Sequence, residues 1–403
     1  MFSLPEGKAA ALDSILSNAA AGGTLPPVFT TITNVEGTLY SRFGGDVPQS
    51  KLDEETIFWI CSQTKLITSI AAFQLIEAGK IALDTPVECI LPELSAPIII
   101  TTVDANGRPD AKTSRPATTK ITVEHLLTHT SGLDYSLDGV TEPGVFPPRA
   151  YADVYASDDT SEFFNKLKGA LPAVPLRFEP GTQFAYGWSS DCLGFLIERL
   201  ELILTSKEHI FEPLGISTAS FHLTPETKAR LLPLHQRNSE GAIVPWPGAH
   251  PMPQDPAETK LFFGGIGLYA SQKDYLTVLR HLLQIHSDKA AKPLISRKSL
   301  SLLISPAMPA SALPQMLGLP AFTSPYIGIP EGSAVFGRGV FVMTEDVPGH
   351  RKKGSAAWGG WANTSYWFDV ETGVAAVVGT QLLPGIDEPF HRLYAEIEAA
   401  VYA

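Results

Sequence analysis

In Cys61-Ser62-Gln63-Thr64-Lys65 a hydroxyl and an amine stand three residues apart. Positions i and i+3 share one face of a helix, so the Ser62 and Lys65 side chains can meet there. A serine hydroxyl is a weak nucleophile until a base takes its proton. A lysine removed from water can give up its own proton and serve as that base, or hold a neighbouring base ionised. The start of a helix would add a positive dipole end beside a developing alkoxide. The pattern alone is weak evidence, because chance places about one or two S-x-x-K matches in a chain of this length. Its position at the head of a long apolar stretch, through Gln74-Leu75-Ile76, gives it weight.

A second group comes from Phe184-Ala185-Tyr186-Gly187-Trp188-Ser189-Ser190-Asp191, which follows the turn pair Pro180-Gly181 and precedes a leucine-rich helix. A tyrosine on such a loop can point into a cleft, and beside an ammonium group a phenol can act as a general base. The plainer reading is a core tyrosine. A third group is Trp358-Gly359-Gly360-Trp361 inside an apparent strand. Paired glycines weaken a strand and call for a reason, such as close approach of a ligand or of another backbone. A strand edge beside a nucleophile could donate a backbone N–H to an oxyanion; the plainer reading is a bulge packed by tryptophans.

Other candidates carry less. His125 and His129 have a chelating spacing but lack a third ligand and the H-E-x-x-H order, so both read as structural, and no metal or cofactor is expected. Cys61 reads as a small buried thiol. Gly264-Gly265-Ile266-Gly267 lacks the G-K-[ST] ending of a phosphate loop and reads as a tight turn near the cleft, with Phe262 and Phe263 as pocket walls. Arg351-Lys352-Lys353 reads as a solvated face, with an anionic donor such as a carrier-protein arm as the alternative.

These residues need elements to position them. The chain has 403 residues, 44% hydrophobic and 18% charged, with a net charge of −12. That suits one large or two medium domains and disfavours nucleic acid or an anionic membrane as partner. No apolar run approaches a membrane span, the N-terminus does not read as a signal peptide, and three irregularly spaced cysteines suit a reducing cytoplasm. The N-terminal stretch reads as an amphipathic helix ended by Gly22-Gly23, and a hairpin follows around Glu36-Gly37. Helical spacing recurs through the middle of the chain, with long surface loops expected at 104–118 and 134–158. From residue 335 three adjacent strands are expected, then a closing helix. The expected fold is α+β: residues 1–60 and 330–403 form an α/β sandwich whose antiparallel five-stranded sheet is flanked by terminal helices, residues 61–329 form a mostly helical lobe, and the active site lies between them.

Ser62-x-x-Lys65, then Tyr186, then a glycine-bearing strand motif resemble the serine β-lactamase/penicillin-binding-protein superfamily. HLLTHTSGL, FEPGTQFAYG, EPLGI, FGGIGLYASQKDY and RKKGS extend the likeness over most of the chain. They are similar to its class C-like esterase branch, that of simvastatin-synthase-type fungal acyltransferases and family VIII carboxylesterases. The resemblance implies a β-lactamase/transpeptidase-like fold, Ser62 as acylated nucleophile, Lys65 as proton-relay partner and Tyr186 as general base and then acid. It also implies an oxyanion hole from the N–H groups of Ser62 and Trp361. Two positions depart from the lactamase pattern: Trp188 stands where Asn is usual, and Trp358 where Lys is usual. An indole offers no cation to a β-lactam carboxylate. Trp188, Trp358, Gly359, Gly360, Phe262 and Phe263 are therefore expected to line an apolar acyl or alcohol pocket. The expected activity is acyl transfer from an ester or thioester to an alcohol of a hydrophobic small molecule through acyl-Ser62, with an acyl carrier protein as a conceivable donor. The alternatives are a carboxylesterase and a non-catalytic binding protein on the same scaffold.

Overall fold

Val374-Ala375-Ala376-Val377-Val378 has no polar side, so a strand made of it needs cover on both faces. The computed structural model describes residues 2–403 apart from 22, 45–51, 103–109, 138–150, 152–153, 202–205, 249, 256, 319–329 and 331. The chain opens with helix α1 (Glu6–Ala21) and a hairpin of β1 (Val28–Asn34) and β2 (Thr38–Gly44). A short strand β3 (Ile57–Trp59) leads to helix α2 (Thr64–Glu77). Helices α3 (Val123–Leu127), α4 (Thr160–Lys168) and α5 (Ser189–Glu201) follow, then β4 (Tyr269–Ser271) and α6 (Gln272–His286). The C-terminal part contributes β5 (Ala334–Phe336), β6 (Phe341–Met343), β7 (Ala356–Gly360), β8 (Thr364–Asp369), β9 (Val374–Gly379) and helix α7 (Glu388–Tyr402).

One sheet runs β5-β6-β7-β8-β9-β1-β2, each neighbouring pair antiparallel. Side chains alternate across β9 with the period of a strand. Val374, Ala376 and Val378 join Leu12 and Leu16 of α1 and Phe390, Leu393 and Ile397 of α7 on the outer face. Ala375 and Val377, with Phe29, Tyr366 and Phe368, share the inner core with Leu276 and Leu279 of α6. Burying one such aliphatic side chain stabilises by about 1.5–3 kcal/mol, so covering both faces holds three layers together.

The expected sheet of five strands is corrected to seven. Two segments that read as single strands each fold back at a left-handed residue: Gly339 at φ 86° and Asn363 at φ 56°. Gly337 N–H donates to Val340 O at 2.7 Å and Asn363 N–H to Gly360 O at 3.0 Å, closing both turns. Apolar residues stand on both sides of each turn, so their pattern runs through it unbroken. Helix α6, which falls in the segment read as the helical lobe, packs on the inner face of the sheet. Of the two expected surface loops, residues 104–109, 138–150 and 152–153 lie outside the described residues. The second is corrected where it is described: Tyr151, Val154 and Tyr155 are buried, both tyrosine rings packing on Phe263 and that of Tyr151 also on Trp188. No described helix is long and apolar enough to cross a membrane.

Candidate active site

Ser62 lies in a short 3₁₀ turn, Cys61–Gln63, that runs directly into α2. Cys61 before it is held at φ 47°. A non-glycine residue there costs on the order of 1–3 kcal/mol, so the surroundings must enforce it. They do so from two sides. Strand β3 pairs with β4, and Ile60 N–H donates to Leu268 O at 3.1 Å. From the other side Gly360 presses in: a Cβ there would lie 2.5 Å from Ile60 O and 3.0 Å from Cys61 Cβ. Only glycine lets β7 come this close to the turn that holds Ser62.

Lys65 is fully buried, so its ammonium requires polar partners. Its Nζ donates to Ser62 Oγ at 3.0 Å and to Gly265 O at 2.8 Å. It also stands 4.7 Å from the centre of the Tyr186 ring, a cation–π distance. The loop carrying Gly265 is fixed to α2 through Thr68 Oγ1, which donates to Gly264 O at 2.7 Å. Trp59 Nε1 donates to Ile266 O at 2.9 Å, a second anchor for the same loop.

The Tyr186 ring stacks on His129 at 4.7 Å. Gly187 N–H donates to His129 Nδ1 at 3.3 Å, and the other ring nitrogen faces Ser190 Oγ at 3.3 Å. Burial first, then the charge of Lys65, push the His129 imidazole well below the usual histidine range, so a neutral ring supports the phenol. Trp358 Nε1 donates to Tyr186 Oη at 3.1 Å. An indole only donates, so the phenol oxygen is the acceptor.

Ser62, Tyr135, Tyr186 and Trp358 through Trp361 line one cavity of about 300 Å³. Its lining is mostly aromatic rings and glycine backbone, as suits an apolar ligand with few polar anchors. A separate cavity of about 370 Å³ lies behind α2, against Thr68, Phe262 and Gly264; Ser62 does not open into it.

The structure thus brings Ser62, Lys65, Tyr186, Trp358, Gly359, Gly360 and Trp361 together. Three expected wall residues are corrected. Trp188 is buried in an aromatic cluster with Tyr135, Tyr151 and Phe163. Phe263 is buried in the same cluster. Phe262 lines the cavity behind α2. None of the three side chains lines the cavity that holds Ser62. Arg351 is corrected from a solvated face to a buried ion pair, Nε to Glu398 Oε1 at 2.9 Å; Lys352 and Lys353 are exposed. Sequence reasoning also missed Tyr135 in the cavity wall and the buried Asp191, for which no motif gives a signal.

Burial pushes the Cys61 thiol far above its usual range, and Lys65 and two backbone N–H groups, Trp361 and Ala362, only partly offset it. The thiol is therefore a poor nucleophile. Among the described residues no group of His, Cys, Asp and Glu is arranged to hold a metal.

The family model described as Beta-lactamase matches residues 12–401. An acyltransferase of Penicillium decumbens, calJ, is 33% identical over 88% of this chain and 83% of its own. A lovastatin esterase of Penicillium rubens is 30% identical over 87% of this chain and 85% of its own. The solved structure of simvastatin synthase from Aspergillus terreus, in a mutant form, superposes with a TM-score of 0.78 at 28% identity, covering 98% of this chain and 95% of that one.

Proposed function

Since the chain belongs to the beta-lactamase family and is an acyl-transferring enzyme of its acyltransferase and esterase branch, we propose that Ser62, Lys65 and Tyr186 carry that transfer through an acyl-Ser62 intermediate. One observation supports this most: a single buried ammonium touches both the Ser62 hydroxyl and the face of the Tyr186 ring.

Tyr186, with Lys65 beside it, takes the Ser62 proton as Oγ attacks the donor carbonyl. The N–H groups of Ser62 and Trp361 hold the oxyanion. The Trp361 N–H now contacts the Cys61 sulfur, a weak acceptor that yields readily to a charged oxygen. Collapse breaks the donor C–O or C–S bond, and the departing alcohol or thiol receives the proton from Tyr186. An acceptor alcohol then attacks acyl-Ser62 and loses its proton to Tyr186; the acyl C–Oγ bond breaks, the new ester leaves, and Tyr186 passes the proton to Oγ. Trp358 narrows the acyl pocket and supplies no cation for a β-lactam carboxylate, so lactam hydrolysis is weak. The donor is a small ester or thioester and the acceptor a hydrophobic scaffold. A carrier-protein thioester fits the same role, with exposed Lys352 and Lys353 as its contact, and the cytoplasm is the proposed compartment.

Water as acceptor is the second reading, favoured by the likeness to an esterase. Which acceptor wins depends on how far the loaded cavity excludes water. Partitioning separates them. With a short-chain acyl thioester and rising alcohol concentration, new ester is expected to replace free acid. Free acid dominating at every alcohol concentration would make the chain a hydrolase.

A further inference from the structure

Asp191, the third residue of α5, is fully buried. A buried carboxylate is costly unless its oxygens are bonded and its charge is matched. Both conditions are met, and both lead towards Lys65. Oδ1 accepts the Gly265 N–H at 2.8 Å, and the carbonyl of the same residue accepts Lys65 Nζ at 2.8 Å. Oδ2 accepts the Tyr151 hydroxyl at 2.7 Å. The carboxylate also lies flat on Gly265: a Cβ there would stand 2.7 and 2.8 Å from its two oxygens. Any other residue at 265 would displace the carboxylate or swing the loop away from the lysine. Tyr151 Oη lies 3.3 Å from Tyr135 Oη, and Tyr135 lines the catalytic cavity.

We propose that Asp191 is the positioning residue for Lys65, acting through the two backbone polar groups of Gly265, and that activity requires it as a carboxylate. This rests on the roles proposed above for Ser62 and Lys65. Asp191 touches no reacting atom. It fixes the carbonyl that aims Nζ at Ser62 Oγ, and its negative charge balances the buried ammonium. Around the carboxylate, the groups that interact with it electrostatically are Lys65 of α2, Tyr135, Tyr151 and Tyr155, and Cys192 of its own helix. Lys65 is the cation among them. Burial raises the Asp191 carboxyl to about 6, and Lys65, Tyr151 and the Gly265 N–H limit the rise. Its protonation on acidification would remove the charge that balances Lys65.

The test uses the full chain, p-nitrophenyl butyrate turnover against pH, and fluorophosphonate labelling of Ser62. The native enzyme is expected to lose kcat as pH falls through about 6. Asp191→Asn keeps the size of the side chain and removes its charge. Its kcat is expected to fall ~10²-fold at pH 8, the scale for a misplaced catalytic group, with KM little changed and that acid limb gone. Tyr151→Phe removes one donor that keeps the carboxylate ionised, so the acid limb moves to higher pH. This variant decides the matter if the first does not fold. Native kcat with an unmoved acid limb in Asp191→Asn, or an unmoved limb in Tyr151→Phe, would overturn the proposal. Absence of both turnover and Ser62 labelling in the native chain would instead strike the proposed roles of Ser62 and Lys65.

Discussion

Lys65→Ala is expected to lower kcat by ~10²–10⁴-fold, the range for a proton-transfer group, with a smaller change in KM. The Nζ atom is 3.0 Å from Ser62 Oγ, whereas the apolar walls that would hold an acyl chain belong to other residues. The variant also leaves the Gly265 carbonyl without its ammonium partner. A buried acceptor left unpaired costs about 1–3 kcal/mol, so some stability is lost too. Circular dichroism and thermal melting before kinetics keep the two effects apart. A folded Lys65→Ala enzyme with near-native kcat would remove the lysine from the chemistry.

Tyr186→Phe is expected to lose a similar ~10²–10⁴-fold in kcat for a different structural cost. The phenyl ring can keep its stack on His129 and its edge contacts with Phe336 and Tyr135. Among the described residues, the change removes the acceptor of the Trp358 indole N–H, at a part-buried position. The net change in stability is about 1 kcal/mol. A large kinetic loss with a small change in melting temperature is the signature of a hydroxyl used in chemistry. A phenylalanine variant that turns over at the native rate would reduce Tyr186 to an aromatic wall.

Most of the architecture was legible because it follows from periodicity. The hairpin and the closing helix are strongly patterned, whereas α2 shows as a run apolar around nearly its whole circumference. The strand count was not, because Gly339 and Asn363 reverse the chain inside segments whose apolar pattern continues. At the site, residues bound to backbone geometry could be named in advance: Ser62 and Lys65 by their spacing, Gly360 by its place inside a strand. Side chains on loops could not be aimed from sequence. Trp188 is two residues beyond Tyr186, yet it turns into the core while Tyr186 faces the cavity. Phe262 and Phe263 are adjacent and serve different regions, one a separate cavity and the other the aromatic core. Asp191 was invisible for another reason. An aspartate in the first turn of a helix is ordinary in composition, and only the fold brings Gly265 to its carboxylate.

The central claim is that Ser62 is the nucleophile. Fluorophosphonate treatment of the native chain, read by intact mass and peptide mapping, tests it most directly. One adduct on the peptide containing Ser62, absent from Ser62→Ala, is the predicted result. No adduct, an adduct mapped to another residue, or one that persists in Ser62→Ala would contradict it.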